Sequence, residues 1–451
     1  MLAANVETLV PSDLSIRLIQ ARHVTDTLFD VVRPEALYDR PIPERHRIVF
    51  YIGHLEAFDW NLLNGRLLSA AKFRPELDRL FAFGIDPVGG GRPADQPSDW
   101  PAITEVREYV RHVRDELDEK LMPVLTGARR NEAEFSPELL LNVAIEHRLM
   151  HAETLAYMLH QLPYDRKVRP SGSDKSLGRT LRHTSAHPAL VEIPAGPATL
   201  GLTRTNDAFG WDNEYEQHTV DVPRFAIDRH KVTNREYAEF LHAGGYEHRA
   251  LWSDDDWAWK EASGISHPAF WRRRGDEWLW RGMFEESPLP PDWPVYVSHA
   301  EASAYARWAG KSLPTEAQWQ RAAYGTARGQ ARPYPWGSEP PDPHRGNFDF
   351  ANWDPVDIGS YPQGASAFGV EDIVGNGWEW TSTRFAPFAG FEPFPFYRGY
   401  SADFFDGRHY VIKGASARTG ACMLRPSFRN WFQPHYQYVY AGFRCVSNRL
   451  D

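Results

Sequence analysis

Four regions in the first third of the chain place apolar residues three and four positions apart, which is the spacing of helices with a buried face. Ser136 followed by Pro137 is an N-cap with proline at the first helical position. Four long helices joined by polar segments predict a bundle. The predicted helices are one capped by Ser12 or Asp13 and reaching Phe29, Arg45–Leu68, Pro101–Leu125, and one from Ser136 to before Pro163.

Two segments of this part lack any apolar period. Residues 84–99 are too rich in glycine and proline to be helical, and such a loop is long enough to have a role at a site. Residues 163–184 are polar and basic, which predicts a linker. The expected organisation is a helical domain over 1–165, a linker over 166–187 and a second domain over 188–451.

The pattern changes in the second part to short apolar runs between turn-forming residues, such as Leu190–Ile193 and Phe225–Ile227. Helical spacing is convincing in two places, Asn234–Leu241 and Ser298–Ala309 with its continuation Thr315–Ala323. Short strands, many turns and few helices predict an irregular α+β domain. The expected class of the whole chain is therefore α+β.

Composition narrows the class of protein. A chain of 451 residues is too long for one ordinary core, and a net charge of −10 argues against a nucleic-acid-binding surface. Neither a run of 18 apolar residues nor a signal-peptide pattern is found, so we expect no membrane span. Cys422 and Cys445 cannot build a disulfide framework, which favours a reducing cytoplasm.

Three histidines are candidate metal ligands. His147 and His151 are four residues apart, so they share one face of the predicted fourth helix. That pair alone is explained equally well by two unrelated surface histidines. His54 lies among apolar residues of the second helix, where a histidine is either a hydrogen-bonded core residue or a ligand, and in a bundle it can face the pair. Three imidazoles suit iron with open positions, but zinc also accepts them. The zinc-protease pattern is absent because Arg148 replaces its glutamate.

These histidine motifs, Gly53-His54 and Glu146-His147 with His151-Ala152-Glu153-Thr154, resemble DinB-like four-helix domains with a three-histidine site. The second half resembles the formylglycine-generating-enzyme fold, an irregular C-type-lectin-like domain. The segments that carry this second resemblance are Gly210–Glu214, Val232–Tyr237, Pro294-Val295, Ala309–Lys311, Leu313–Trp319, Gly375–Thr381 and Ala441–Arg444.

The two domains in this order resemble the ergothioneine-biosynthesis family EgtB, with OvoA and the selenoneine synthase SenA as relatives. The resemblance implies Fe(II) on His54, His147 and His151, dioxygen as oxidant, and hercynine (Nα-trimethylhistidine) as acceptor. The implied reaction is that of an oxidoreductase, which joins a sulfur or selenium donor to the imidazole ring and oxidises the chalcogen in the sulfur cases.

The resemblance also implies substrate-binding residues. Hercynine carries a quaternary ammonium, which aromatic faces attract. The segment from Arg429 to Tyr436 resembles the family's substrate-binding stretch, with Asn430 and Trp431 matching best and Gln433 supplying a further amide. Tyr397 and Tyr400 resemble the segment that holds the family's active-site tyrosine, a proton donor. A packed aromatic loop explains each tyrosine equally well.

Three positions depart from the family pattern. Members that use γ-glutamylcysteine carry R-N-W-D-x-P-x-R, and here Phe432 replaces the aspartate and Tyr436 the final arginine. Both donor-pairing charges are missing, which favours another donor: free cysteine, with the selenosugar of SenA-type enzymes as the alternative. Met150 stands where some members have glutamine, which alters the implied hercynine pocket.

Three further hypotheses remain beside this one. Formylglycine formation needs a copper site built from two nearby cysteines, but Thr419 and Leu424 occupy those positions. A metal- or ligand-binding scaffold without catalysis is an alternative of another class, although a scaffold has no need of three histidines. Some proteins of the second fold hold Ca²⁺, for which Asn376 and Glu379 are candidates; a hydrogen-bonded turn is the preferred explanation of that segment.

Overall fold

The computed structural model describes residues 11–82, 93–126, 134–170, 190–204 and 208–447. The chain divides into two compact units, residues 1–174 and 175–451. The first is helical and the second mixes short strands with helices, which confirms the α+β class. The limits 1–165, 166–187 and 188–451 stay predictions, and most of the predicted linker lies outside the described residues.

The first unit contains the predicted long helices and one short helix between them. The helices are α1 (Pro11–Phe29), α2 (Ile48–Leu63), α3 (Pro75–Leu80), α4 (Ile103–Thr126) and α5 (Pro137–Gln161). Helix α1 contacts α4 and α5, and α2 contacts α3, α4 and α5. Ser136 caps α5, because its hydroxyl accepts a hydrogen bond from the Leu139 amide at 3.1 Å.

Two details of the helical prediction were wrong. Helix α2 is shorter than Arg45–Leu68, because Asn64 is extended and Gly65 has a φ of +89°, a left-handed conformation that ends the helix. Helix α3 was not predicted. Of the predicted loop over 84–99, residues 84–92 lie outside the described part of the chain.

In the described segments, no helix combines the length and apolar character needed to cross a bilayer.

The second unit is built on four small sheets. Strands β1 and β4, which contain the two predicted apolar runs, pair with each other in the sheet β1–β4–β12. The others are the sheet β10–β9–β8–β11, the hairpin β2–β3 and the meander β5–β6–β7. The strands are β1 (Leu190–Ile193), β2 (Gly196–Leu200), β3 (His218–Val222), β4 (Phe225–Asp228), β5 (Trp271–Arg274), β6 (Glu277–Arg281), β7 (Glu286–Pro288), β8 (Gly377–Arg384), β9 (Tyr410–Ala415), β10 (Asn430–Phe432), β11 (Ala441–Gly442) and β12 (Val446–Ser447).

The helices of this unit begin at side-chain caps. The two predicted regions form α6 (Asn234–His242) and the separate helices α8 (His299–Trp308) and α9 (Glu316–Tyr324). Gly310, at a φ of +66°, interrupts the second region. The prediction of only two helical regions was wrong, because Ser253 caps a further helix, α7 (Asp254–Ser263).

A buried group of charges links β8 to Lys231, shortly after β4, and to Arg444. Arg444 donates two hydrogen bonds of 2.7 Å to Glu379 on β8, and Lys231 lies 3.1 Å from the same carboxylate. The Trp319 indole also donates to Glu379 at 2.9 Å. Neighbouring Asn376 exchanges hydrogen bonds with the backbone of Val356 at 2.9 Å. Since both side chains have protein partners, these contacts support a structural explanation of the segment proposed for Ca²⁺.

Replacing Arg444 by methionine should destabilise the second unit by about 3–5 kcal/mol, because it removes the bidentate partner of a buried carboxylate. Urea unfolding followed by tryptophan fluorescence measures this, since the first unit contributes only Trp60 and Trp100. The matched control is Arg235→Met, which breaks an exposed pair with Asp292 and should cost less than about 1 kcal/mol. Equal losses in the two variants would contradict the structural role of Arg444.

Candidate metal centre

Three buried histidines converge in the first unit. His54 comes from α2, and His147 and His151 come from adjacent turns of α5. The Nε2 atom of His151 lies 3.2 Å from that of His54 and 3.1 Å from that of His147. Among the described residues, these three form the one group of histidine, cysteine or carboxylate side chains arranged to hold a metal ion.

The backbone sets the orientation of His54. Its Nδ1 lies 2.7 Å from the carbonyl oxygen of Phe81, which accepts a hydrogen from that nitrogen. The lone pair of the neutral ring is therefore on Nε2, which faces the other two histidines. The ring of Phe81 packs on Gly53, where an added Cβ would lie 2.5 Å from three ring carbons. Gly53 thus gives Phe81 the space to orient its neighbour.

Burial keeps the imidazoles neutral, and aromatic rings cover two of them. Phe58 stacks on His147 with ring centroids 3.4 Å apart, and Phe50 stacks on His54 at 4.8 Å. Burial lowers the pKa of His54 to about 4. Burial and the neighbouring imidazoles lower the pKa of His147 and of His151 well below the usual value. Neutral imidazoles are the form that binds metal ions.

The spacing of the nitrogens fits one metal ion. Two lone-pair-bearing nitrogens about 3 Å apart repel each other unless a proton or a cation lies between them, and ligands about 2.1 Å from one ion have this separation. Three histidines leave the remaining coordination positions open to exogenous ligands. The arrangement therefore fits a catalytic metal centre and does not by itself choose between iron and zinc.

A second buried group, made of charged side chains, lies on the same two helices, α2 and α5. Arg148, which follows His147, donates to both carboxylate oxygens of Glu56 at 3.0 and 2.9 Å and to Asp59 at 2.6 Å. We call Arg148, Glu56 and Asp59 the ion cluster. Burial alone would raise the pKa of Glu56, but Arg148 and Arg114 outweigh it and lower that pKa to about 2. The ion cluster was not predicted from the sequence.

In the second unit, the structure gathers several of the predicted substrate residues. Trp431 on β10 stacks on Phe385 with centroids 4.1 Å apart and meets Tyr400 edge-on at 5.5 Å. Tyr400 stacks on Trp211 at 4.0 Å, and Tyr397 lies 5.5 Å from Tyr400. We call Trp211, Phe385, Tyr397, Tyr400, Phe404 and Trp431 the aromatic cluster. Its rings are of the kind that attract a quaternary ammonium.

The turn that carries Trp211 also holds the tyrosine loop. The Ser401 hydroxyl donates to the buried Asp212 carboxylate and accepts a hydrogen bond from the Asn213 amide at 3.0 Å. Because Ser401 follows Tyr400, these bonds fix the backbone beside that tyrosine. Burial raises the pKa of Asp212 to about 6. Of the two candidate tyrosines, Tyr400 has the closer stacking partner.

The remaining predicted residues have different surroundings. Arg429 is buried, pairs with Glu316 at 2.8 and 3.1 Å, and so has a structural partner. Asn430 is half-buried and its side-chain oxygen accepts from the Trp431 amide at 2.8 Å, while Gln433 is exposed. The substrate-binding role assigned to these three residues stays a prediction.

The two positions that lack the family's charges are in contact with each other. The Phe432 and Tyr436 rings stack with centroids 5.2 Å apart and planes inclined by 12°. Both are half-buried, so an aromatic surface occupies the place of the missing charges. Met150 is half-buried on α5, one residue before His151.

Four residues of this candidate site were not predicted from the sequence: Trp211, Asp212, Phe385 and Phe404. Trp211 and Asp212 belong to the segment Gly210–Glu214, which carried the resemblance to the second fold but was not assigned a site. Nothing in the local pattern of Phe385 or Phe404 distinguishes either from the many other aromatic residues of this unit.

Comparisons with known proteins follow the same division of the chain. Residues 17–155 match the DinB superfamily, and residues 179–449 match the sulfatase-modifying factor enzyme 1-like domain. The hercynine oxygenase of Mycolicibacterium thermoresistibile is 34% identical over 96% of this chain and 94% of its own length. The chain belongs to the hercynine oxygenase (EgtB-like) family. This is a family of oxidoreductase enzymes.

Other relatives agree with this membership. The hercynine oxygenase of Mycolicibacterium smegmatis is 34% identical over 88% of this chain and 89% of its own length. The ergothioneine biosynthesis protein 1 of Neurospora crassa is 27% identical over 91% of this chain, which spans 55% of that longer protein. The resemblance to the EgtB-like family is therefore confirmed.

Replacing Gly53 by alanine should weaken metal binding by about 10–100-fold, because the new Cβ displaces Phe81 and with it the carbonyl that orients His54. Titration of the metal-free protein with Co²⁺ measures the affinity. The double variant with Phe81→Ala removes the clashing ring while keeping the backbone carbonyl, so it should regain part of the loss. Unchanged affinity in the single variant would show that this contact does not orient His54.

The raised pKa of Asp212 makes its ionisation unfavourable in the folded state. The native protein holds the proton of the Asp212 carboxyl more tightly than the unfolded chain does. The free energy of unfolding therefore falls as pH rises from about 4 through 6. Asp212→Asn should therefore gain stability relative to the parent across that window, on the order of 2 kcal/mol by its upper end. Thermal unfolding at several pH values checks this against the exposed control Asp255→Asn. A pH-independent difference would refute it.

Proposed function

We propose that this protein is an Fe(II)- and O2-dependent enzyme that forms a carbon–sulfur bond on the imidazole ring of hercynine, with a donor other than γ-glutamylcysteine. The observation that carries the proposal is the convergence of the Nε2 atoms of His54, His147 and His151 in a chain whose full-length relatives are hercynine oxygenases. The metal ion would supply the activation of dioxygen.

The proposed reaction balances with dioxygen as the only oxidant. Hercynine, a thiol R–SH and O2 give the S-linked sulfoxide and one water. The ring C–H and the S–H bonds are broken, C–S and S–O bonds form, and the second oxygen atom leaves as water. No further reductant is needed, since carbon and sulfur together supply the four electrons that dioxygen accepts.

The protein's own residues have separate roles in this proposal. The three histidines would hold the metal through neutral imidazoles, and burial favours that protonation state. The aromatic cluster around Trp431 would hold the trimethylammonium group of hercynine by cation–π attraction. Tyr397 or Tyr400 would move a proton, and the bonds of Ser401 favour Tyr400 because they fix its backbone.

Cysteine is the proposed sulfur donor. The stacked rings of Phe432 and Tyr436 offer no charge to pair with the extra carboxylate and ammonium of γ-glutamylcysteine. The same aromatic surface is compatible with a selenosugar, which makes selenoneine formation of the SenA type the alternative. Both donors share the hercynine acceptor, so they differ only at this surface.

Aerobic incubation of the Fe(II)-loaded protein with hercynine and each of three donors tests the proposal. We expect turnover with cysteine, or with the selenosugar in the alternative case, and at least about tenfold less with γ-glutamylcysteine, since each unpaired buried charge costs the donor more than 1 kcal/mol. Mass spectrometry of the product and oxygen consumption are the measurements.

Three results would contradict this proposal. Turnover confined to γ-glutamylcysteine would refute the interpretation of Phe432 and Tyr436. The control His54→Ala should lose the activity together with bound iron, and activity on hercynine with iron still bound would refute the metal assignment. Absence of turnover with all three donors, in protein that binds iron, would favour a non-catalytic metal-binding scaffold.

A further inference from the structure

We propose that the ion cluster of Arg148, Glu56 and Asp59 positions the metal ligands, by selecting the one rotation and register of α2 against α5 at which His54 meets His147 and His151. The inference rests on the metal binding that the proposed function requires. It assigns these three side chains a role in assembling the metal centre in addition to any effect on folding.

Apolar packing alone defines the position of α2 poorly. Residues on every side of this helix are buried, and only Ile52, Phe58 and Asn61 are not. Because apolar side chains lie on every side of α2, no single apolar face directs this helix towards the core, so several rotations bury similar apolar area. A rotation by one residue is about 100° and would turn His54 away from α5.

The hydrogen bonds of Arg148 are directional and restrict that freedom. Its guanidinium donates to the Leu55 carbonyl at 3.1 Å, to both oxygens of Glu56 and to Asp59. These acceptors lie one, two and five residues after His54. Because the guanidinium is planar with a fixed fork of donors, it can satisfy all of them in one relative position of the two helices.

The cluster also connects α2 to the other long helices. Arg114 on α4 donates to Glu56 at 2.9 and 2.7 Å and makes two 2.8 Å hydrogen bonds to Asp26 on α1. Glu56, two residues from His54, therefore accepts hydrogen bonds from α4 and α5 together. The segment of α2 that carries the ligand is held from several directions.

The energetics of buried ion pairs favour a role of the ion cluster in positioning the helices over a role in stabilising the fold. Arg148 and Asp59 are 0% exposed and Glu56 is 1% exposed, so all three groups lose their hydration. Buried ion pairs recover little net stability, and apolar residues of similar volume often replace them with neutral or favourable effect. Setting the register between helices is the best-attested use of such groups. The location of this cluster, adjacent in sequence to ligands on both helices, matches that use.

The test compares metal binding with folding in the full chain. In the triple variant Arg148→Met, Glu56→Met and Asp59→Leu, the ion cluster becomes apolar at similar volume. We expect a melting temperature equal to or above that of the parent, together with a Co²⁺ affinity reduced by about 10–100-fold and a changed visible spectrum of the bound Co²⁺. Glu116→Gln, which breaks a solvent-accessible pair with Lys120 on α4 of the same bundle, is the control and should change neither property.

The outcomes separate this inference from the proposed function. A folded triple variant with parental Co²⁺ affinity and spectrum would overturn the inference alone. A parent protein that binds neither Co²⁺ nor Fe²⁺ would overturn the proposed function. If the triple variant does not fold, Glu56→Gln decides, with Co²⁺ binding measured below its own melting temperature: binding about tenfold weaker than in Glu116→Gln supports the inference, and parental binding refutes it.

Discussion

A charge removed from water is tolerated only beside a partner, and this constraint organises each unit of the protein. In the first unit Arg148 lies between Glu56 and Asp59, and in the second Arg444 and Lys231 share Glu379. Each group joins segments that are far apart in sequence. Ion pairs as well as apolar contacts thus hold the helices that carry the histidines. The same is true of β8, an inner strand of the β10–β9–β8–β11 sheet.

The two candidate sites differ in chemical character. The metal centre consists of neutral nitrogens whose protonation state follows from burial, and one backbone carbonyl orients the ring of His54. The aromatic cluster consists of rings stacked on one another, and its loop is held to the Trp211 turn through Ser401 and Asp212. In both sites a residue outside the site sets the orientation of the residue within it.

The sequence predicted what depends on local spacing. The α5 face shared by His147 and His151 follows from a separation of four residues, and the apolar runs at β1 and β4 follow from composition. Contacts between residues that are distant in sequence could not be predicted in this way, because they depend on the complete fold. Arg148 pairs with Glu56 across 92 positions, and Arg429 pairs with Glu316 across 113. The substrate-binding role predicted for Arg429 rests on its neighbours in sequence alone and stays a prediction. Helix α7 was missed although Ser253 and Gly264 are ordinary capping residues, because acidic and tryptophan residues obscure its apolar period.

The Phe432–Tyr436 pair lies apart from the buried charges of its domain. Phe432 ends β10, an edge strand of its sheet, and Tyr436 lies in the turn beyond it, whereas the ion pairs of Glu379 lie two strands away on β8. Substitutions at these two positions therefore leave the buried framework of the domain intact. Such a surface can accumulate changes during evolution with little loss of foldability, and under the proposed function a small number of mutations there would exchange one chalcogen donor for another.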